Sequence, residues 1–371
     1  MKIPVANPGA AYARLAAPID AAVLGVLRSG WYILGEACQR FESEFAGFCG
    51  AAHCVGVANG TDAVELALRA VGVGAGDRVA TVANTAVATV AAIDRIGALP
   101  VFCDVEPHTQ TMDPAALRLL LASAPDIKAV VPVHLFGEPA DLDGILRLAE
   151  AAGIPLVEDC AQAHGARVGG HVAGTIGRAG AFSFYPTKNL GALGDGGAVV
   201  TGDDAVADRL RLLRQYGWRE RYLSEIAGMN SRLDEVQAAV LSVKLRDLPW
   251  ANDRRRTLAA AYCRGLAGLP LELPPSRPGV TPVFHQFVVR TERRATLARH
   301  LAAAGIGTAV LYPVPIHRQP AYAARAGSCA LPVTETLAET LLCLPMYPEL
   351  TDGQADTVCR EIRRFFNGHP E

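Results

Sequence analysis

AFSFYPTKNLGALGDGGAVVT, residues 181–201, is the stretch from which the rest of the chain can be read. An apolar, aromatic run (181–185) stops at Pro186, and Lys188 follows in a turn. Gly191, Gly194, Gly196 and Gly197 then lead into a second apolar run at 198–201. The pattern predicts a strand, a lysine-bearing turn, a glycine-rich return and a strand. A lysine so placed has two readings. It is a solvated hairpin side chain, as most lysines are, or an amine pinned between sheet elements with small residues leaving room for a flat ligand.

Upstream, VEDCAQAHGA (157–166) puts Asp159 at the end of an apolar strand, with Gln162 and His164 in the loop beyond it. Further strands are expected at 54–58, 78–82, 101–104 and 129–134, with helical stretches between them. Such alternation implies a mainly parallel sheet covered on both faces, and ligands gather beyond the carboxyl ends of its strands. Asp159 either caps the next turn or faces that crevice. Lys188 comes one strand-and-loop excursion later, so the two can face one cavity. A strand-end carboxylate and a turn lysine are what pyridoxal phosphate requires: the lysine forms the Schiff base, and the carboxylate keeps the ring nitrogen protonated.

NGTDAVELALRA (59–70) is a glycine-containing turn running into a helix. Free N–H groups at a helix start attract anions, so Gly60 and Thr61 are candidates for a phosphate, with Ser183 adding a hydroxyl. Asp62 and Glu65 equally suit plain helix capping. In NSRLDEVQAA (230–239), Asn230 is a candidate cap and Arg232 lies in the first turn. Two helices, near 16–29 and 37–50, flank the aromatic loop SGWYILG (29–35). The second half changes character: a helix at 230–244, a boundary at Leu248–Pro249, a helix at 254–269, a proline-rich linker (269–282), a strand at 284–290, and helices at 294–304 and 354–367. The expected division is a large domain, 1–247, and a smaller α+β domain, 248–371.

At 371 residues the chain exceeds one typical core. A formal net charge of −2 and the lack of any long basic run give no sign of nucleic-acid binding. No signal-peptide pattern and no unbroken membrane-length apolar run is read, so a cytoplasmic protein without membrane partners is expected. The nine scattered cysteines contain no CxxC pair, which suits reduced thiols and no metal site.

Taken in order, NGTDA, EDCAQAHGA, SFYPTKNLGALGDGG, MNSRLDEVQAA and YPVPIHRQPAY resemble the nucleotide-sugar aminotransferases of the DegT/DnrJ/EryC1/StrS type, from GWYILG at residue 30 to LPMYP near 348. The resemblance implies an α/β subunit of PLP fold type I, aspartate-aminotransferase-like, with a seven-stranded type of large-domain sheet, working as a homodimer with shared active sites. It implies that Lys188 carries the Schiff base, Asp159 pairs with the pyridine nitrogen and Gln162 contacts the ring or its 3-oxygen. Gly60, Thr61 and Ser183 match phosphate positions. Asn230 matches one supplied by the neighbouring subunit, and Arg232 lies at the same edge. His317, Tyr312 and His285 fall where sugar- or nucleotide-facing residues are expected. The substrates implied are L-glutamate and a nucleotide-activated 3- or 4-keto-6-deoxyhexose, with GALGDGG leaning toward 3-amination. An inosose is the alternative acceptor, and a non-catalytic cofactor-binding sensor is the alternative of another class. Lys188 argues against the iron–sulfur dehydratase branch. One departure stands out: in VANTAVATVAA (82–92), Ala86 occupies the position of a ring-stacking aromatic.

Overall fold

The computed structural model describes residues 2–326 and 329–368; positions 369–371 of the expected smaller domain lie outside the described residues. Strands β1 (His53–Val57), β2 (Arg78–Val82), β3 (Leu99–Cys103), β4 (Ile127–Val130) and β5 (Val157–Asp159) are followed by a small ribbon, β6 (Arg167–Val168) and β7 (His171–Val172). Then come β8 (Ala179–Ser183) and β9 (Gly197–Thr201). Parallel pairing gives β3-β2-β4 and β5-β8, while β9 runs antiparallel between β8 and β1. Parallel bridges Val130–Leu156 and Val133–Asp159 join the two groups. The sheet order is therefore β3-β2-β4-β5-β8-β9-β1, mainly parallel with one reversed strand.

Helices α1 (Pro8–Ser29), α2 (Glu36–Cys49), α3 (Gly60–Ala70), α4 (Val87–Arg95), α5 (Pro114–Ser123), α6 (Leu142–Ala151), α7 (Asp204–Leu213) and α8 (Glu235–Leu266) clothe this sheet. The period-two alternation of a strand decides which core each side chain joins. Ala181 and Val199 pack with Leu66, Leu68 and Leu210 of α3 and α7, whereas Phe182, Ala198 and Val200 pack with Phe41, Phe45 and Leu241 of α2 and α8. Phe45 meets Phe182 and Phe184 edge-on at centroid distances of 5.0 and 5.4 Å. Burying each such ring stabilises the fold by about 1.5–3 kcal/mol, so the strands flanking Lys188 are anchored from beneath.

The break expected at Leu248–Pro249 does not occur: α8 is one helix of 32 residues containing Pro249. An interior proline costs about 3 kcal/mol, which the continuous buried face of Leu245, Leu248, Ala251 and Leu258 offsets. The carboxyl half of α8 then enters an outer core with the antiparallel pair Phe287–Arg290 and Leu341–Leu344 and the final helix Asp352–Gly368.

α1 adds to the sequence reading of no unbroken membrane-length apolar run: its apolar stretch is interrupted by Arg14 and Asp20. Over 22 residues its best window has mean hydropathy 1.4, long and apolar enough to cross a membrane by length and composition. In the fold α1 packs on α8, where the Arg14 guanidinium grips both oxygens of Asp247, donates to Glu349 and lies 4.1 Å over the Trp250 ring.

Candidate active site

Several of the segments that meet at the carboxyl edge of the sheet contribute to one cavity of about 250 Å³. Asp159 comes from the end of β5, Gly60 and Thr61 from the start of α3, Ser183 from the end of β8, Thr85 and Ala86 from the approach to α4, and Lys188 from the turn after β8. That turn is closed by the Lys188 N–H donating to the Tyr185 carbonyl at 2.8 Å. Gly191 cannot be larger: a Cβ there would sit 2.4 Å from the Pro186 carbonyl oxygen. The glycines of the return thus hold the lysine turn against the sheet.

Lys188 is half-buried at the cavity wall, and desolvation of its amine lowers its pKa to about 8 against the opposing pull of Asp159. A desolvated amine disfavours its charged form, so a usable fraction of this lysine is uncharged near neutral pH. Its histidine neighbours are neutral. Burial, with Lys188 adding to it, lowers His164 to about 3. His285 falls well below its usual range through burial and the nearby charges of Lys188 and Arg255.

At the α3 start, Asn59 is the cap, its Oδ1 accepting from the Asp62 N–H at 2.9 Å. The Asp62 carboxylate is bound by Arg95 at 2.8 Å and by the Ser231 hydroxyl at 2.6 Å. The first N–H groups of a helix have no acceptor within it, and here they border the cavity beside the Thr61 and Ser183 side chains. A Cβ on Gly60 would meet Ser183 Cβ at 2.5 Å, so only glycine lets this cradle close. An amine, a facing carboxylate and a cradle of N–H and hydroxyl donors fit pyridoxal phosphate.

Gln162 is fixed at both ends, its Oε1 accepting from the Phe136 N–H at 2.7 Å and its Nε2 donating to the Tyr312 hydroxyl at 3.3 Å. Tyr312 therefore stands behind Gln162 and is not itself on the cavity wall. Four other expected site residues are not on this cavity wall. His285 is buried, with Nδ1 3.2 Å from Asn189 Oδ1. Asn189 spends its amide hydrogens on Asn252 and the Val283 carbonyl, so its oxygen accepts and His285 Nδ1 carries the proton. His317 is buried beside Phe102, with Nε2 2.9 Å from Glu335. Asn230 is exposed and paired through its backbone with Gln215, and Arg232 is half-buried.

Sequence reasoning passed over Thr89, Tyr185 and Asp195. Tyr185 and Asp195 line the cavity, both inside the decisive stretch, and among the described residues Tyr185 is the one aromatic on its wall. Thr89 hydrogen-bonds Asp159 from behind. One other buried cluster has metal-binding residue types: His134, Glu158 and Cys160, whose ligand atoms lie within 4.8 Å of one another. It is already satisfied. Glu158 accepts from His134 Nε2 and from the Gly174, Ile176 and Gly177 N–H groups at 2.7–3.0 Å. His134 Nδ1 accepts from the Ala140 N–H. This network anchors the strand end next to Asp159.

The sequence matches the DegT/DnrJ/EryC1/StrS aminotransferase family over residues 14–363. It is 49% identical over 368 residues, 98% of this chain and 96% of the relative, to the dTDP-3-amino-3,4,6-trideoxy-alpha-D-glucose transaminase of Streptomyces venezuelae. The fold superposes with TM-score 0.95 and 48% identity on the crystal structure of S. venezuelae DesV in complex with a ketimine intermediate, covering 98% of both chains. A structure of NtdA from Bacillus subtilis with bound cofactor PMP matches with TM-score 0.87 and 28% identity, covering 94% of this chain and 81% of that one.

Proposed function

The chain belongs to the DegT/DnrJ/EryC1/StrS aminotransferase family, and from that premise we propose a pyridoxal-phosphate-dependent transaminase that moves an amino group from L-glutamate to a nucleotide-activated keto-deoxysugar in amino-sugar biosynthesis. The preferred acceptor is a dTDP-linked 3-keto-deoxyhexose, in keeping with the 3-amino position in the name of the S. venezuelae relative. The observation that carries the reading is the single cavity walled by Lys188, Asp159 and the Gly60–Thr61–Ser183 cradle.

When bound, pyridoxal phosphate supplies an electron-accepting ring that stabilises the charge left when a proton leaves the amino-bearing carbon. Lys188 would hold it through Nζ and, once displaced, carry that proton; a pKa of about 8 keeps a usable fraction of the amine neutral. Asp159 would hold the ring-nitrogen proton. Gly60 and Thr61, through the N–H groups of α3, and Ser183, through its hydroxyl, would hold the phosphate. Gln162, immobilised by Phe136 and Tyr312, would border the ring without needing to reorganise.

Asn230 and Arg232 lie off this cavity wall, and the aromatic loop after α1 is exposed, with Trp31 at 65%. Both features support a homodimer in which these two residues serve the partner's site. A cytoplasmic location accords with nine cysteines that form no disulfide.

The test is to reconstitute the protein with pyridoxal phosphate, convert it with glutamate, and then offer keto-sugar nucleotides and inososes in turn. Return of the original absorbance with a dTDP-ketosugar alone supports the reading. Return with an inosose alone moves the enzyme to cyclitols, and no response to glutamate leaves only a cofactor-binding sensor.

A further inference from the structure

Asp159 is held from two sides. Its Oδ1 accepts from the Ala161 N–H at 3.1 Å and its Oδ2 from the Thr89 hydroxyl at 2.8 Å. Thr89 is fully buried in the first turn of α4, and its oxygen lies 2.9 Å from Oγ1 of Thr85, also buried. A hydroxyl has one proton to give, and an ionised carboxylate only accepts. Thr89 therefore spends its proton on Asp159, and Thr85 must be the donor in the bond between the two threonines. The outcome is a one-way chain, Thr85 to Thr89 to Asp159, with every hydrogen directed toward the carboxylate.

Three titratable groups face Asp159: Lys188 from the turn after β8, Tyr312 from the loop beyond Gln162, and Cys160 next in sequence. Burial pushes the Tyr312 phenol up to about 12 and the Cys160 thiol well up, so both stay neutral. The threonine pair is thus the fixed polar support of this carboxylate, and Lys188 is its one titrating neighbour near neutral pH.

We propose that Thr89, backed by Thr85, is a positioning residue for the transamination: it fixes the rotation of the Asp159 carboxylate and holds it ionised, so that the acid keeps a proton on the cofactor ring nitrogen instead of taking it. The inference rests on the pyridoxal-phosphate reading above. A hydrogen bond to the charged form favours that form, and one made to an ionised group is stronger than a neutral one. A helical threonine has few χ1 rotamers open to it, and here the bonds to Asp159 and Thr85 keep the hydroxyl aimed. Without it the carboxylate loses a fixed donor and is free to turn, the ring-nitrogen proton is less firmly held, and the ring withdraws electrons less well.

The test uses the reconstituted holoenzyme. Wild type must first show a visible band that depends on Lys188; if it does not, the cofactor reading fails and the threonine relay is not what has been refuted. The pH titration of that band is then compared in Thr89→Val, Thr89→Ser and Thr85→Val, with thermal melts confirming the fold. Loss of one hydrogen bond to a charged group predicts that Thr89→Val raises the midpoint by about half to one pH unit, because less positive charge on the ring lets the lysine linkage keep its proton longer, and lowers kcat about tenfold. KM for glutamate should change less than about twofold, and Thr89→Ser should restore the midpoint. A folded Thr89→Val enzyme with wild-type midpoint and kcat overturns the proposal. If Thr89→Val does not fold, Thr85→Val decides: a raised midpoint supports the relay and a wild-type midpoint overturns it.

Discussion

The Ser231 hydroxyl donates to Asp62 Oδ2 at 2.6 Å, tying the segment before α8 to the first turn of α3. Ser231 Oγ in turn accepts from the Ala58 N–H at 3.1 Å. Together with Arg95 this removes the charge of Asp62 from the cavity and leaves the helix start free for an anion. Ser231→Ala would leave the part-buried Ala58 N–H without this acceptor and the buried Asp62 carboxylate with Arg95 alone, a loss of about 1–3 kcal/mol. The denaturation midpoint of the apo protein should fall accordingly, and phosphate-bearing cofactor should bind more weakly. An unchanged midpoint would show that the bridge carries no weight.

Lys188→Ala removes both the attachment point and the proton carrier. General-base catalysis alone contributes about 10²–10⁴-fold, so turnover should drop by at least that much. Borohydride should no longer fix the cofactor to the chain, as read by mass spectrometry. Near-wild-type turnover in this variant would sink the mechanism.

The pH dependence follows from the pKa of Lys188, about 8 in the folded apo protein against about 10.4 for a free lysine. Only the neutral amine attacks an aldehyde, so the rate of cofactor attachment should climb with pH and level off above about 8. Between the two values the unfolded chain binds more protons than the folded one, so stability rises with pH across that window. Lys244, likewise lowered to about 8 by burial, acts in the same direction. Lys188→Met should therefore stabilise the apo protein at pH 7 and reduce, without abolishing, the slope of stability against pH between those values. A steeper slope would contradict the assignment.

Ala86 leaves one side of the cavity without a ring, and Tyr185 is the aromatic on its wall among the described residues. Ala86→Phe should restore a stacking surface worth about 0.5–1.5 kcal/mol, tightening cofactor retention up to about tenfold by dialysis or competition. It should also narrow the range of acceptors turned over. Unaltered retention would mean that residue 86 does not face the ring.

Much of this was legible before any coordinates. The lysine turn announces itself because aromatic strand, proline and spaced glycines each constrain the backbone locally, and Asp159 is marked by its place at the end of an apolar run. Sequence alternation also reveals the parallel strands, although not that β9 inserts in reverse between β8 and β1, since pairing across the sheet is a long-range choice. Thr89 was invisible because it lies in an ordinary helical pattern 70 positions from its partner. His285 and His317 sit in motif-like company, yet their contacts with Asn189 and Glu335 are set by packing that no local spacing encodes. Pro249 misled because its cost is local while the burial that outweighs it is spread along α8.

That uninterrupted helix has a mechanical consequence. At 1.5 Å rise per residue, its 32 residues form a strut about 48 Å long, with Glu235 clasping the start of α2 at one end and Tyr262 embedded in the outer core at the other. A strut braced at both ends transmits a tilt instead of absorbing it. Any flexing that admits a bulky substrate would therefore fall outside α8.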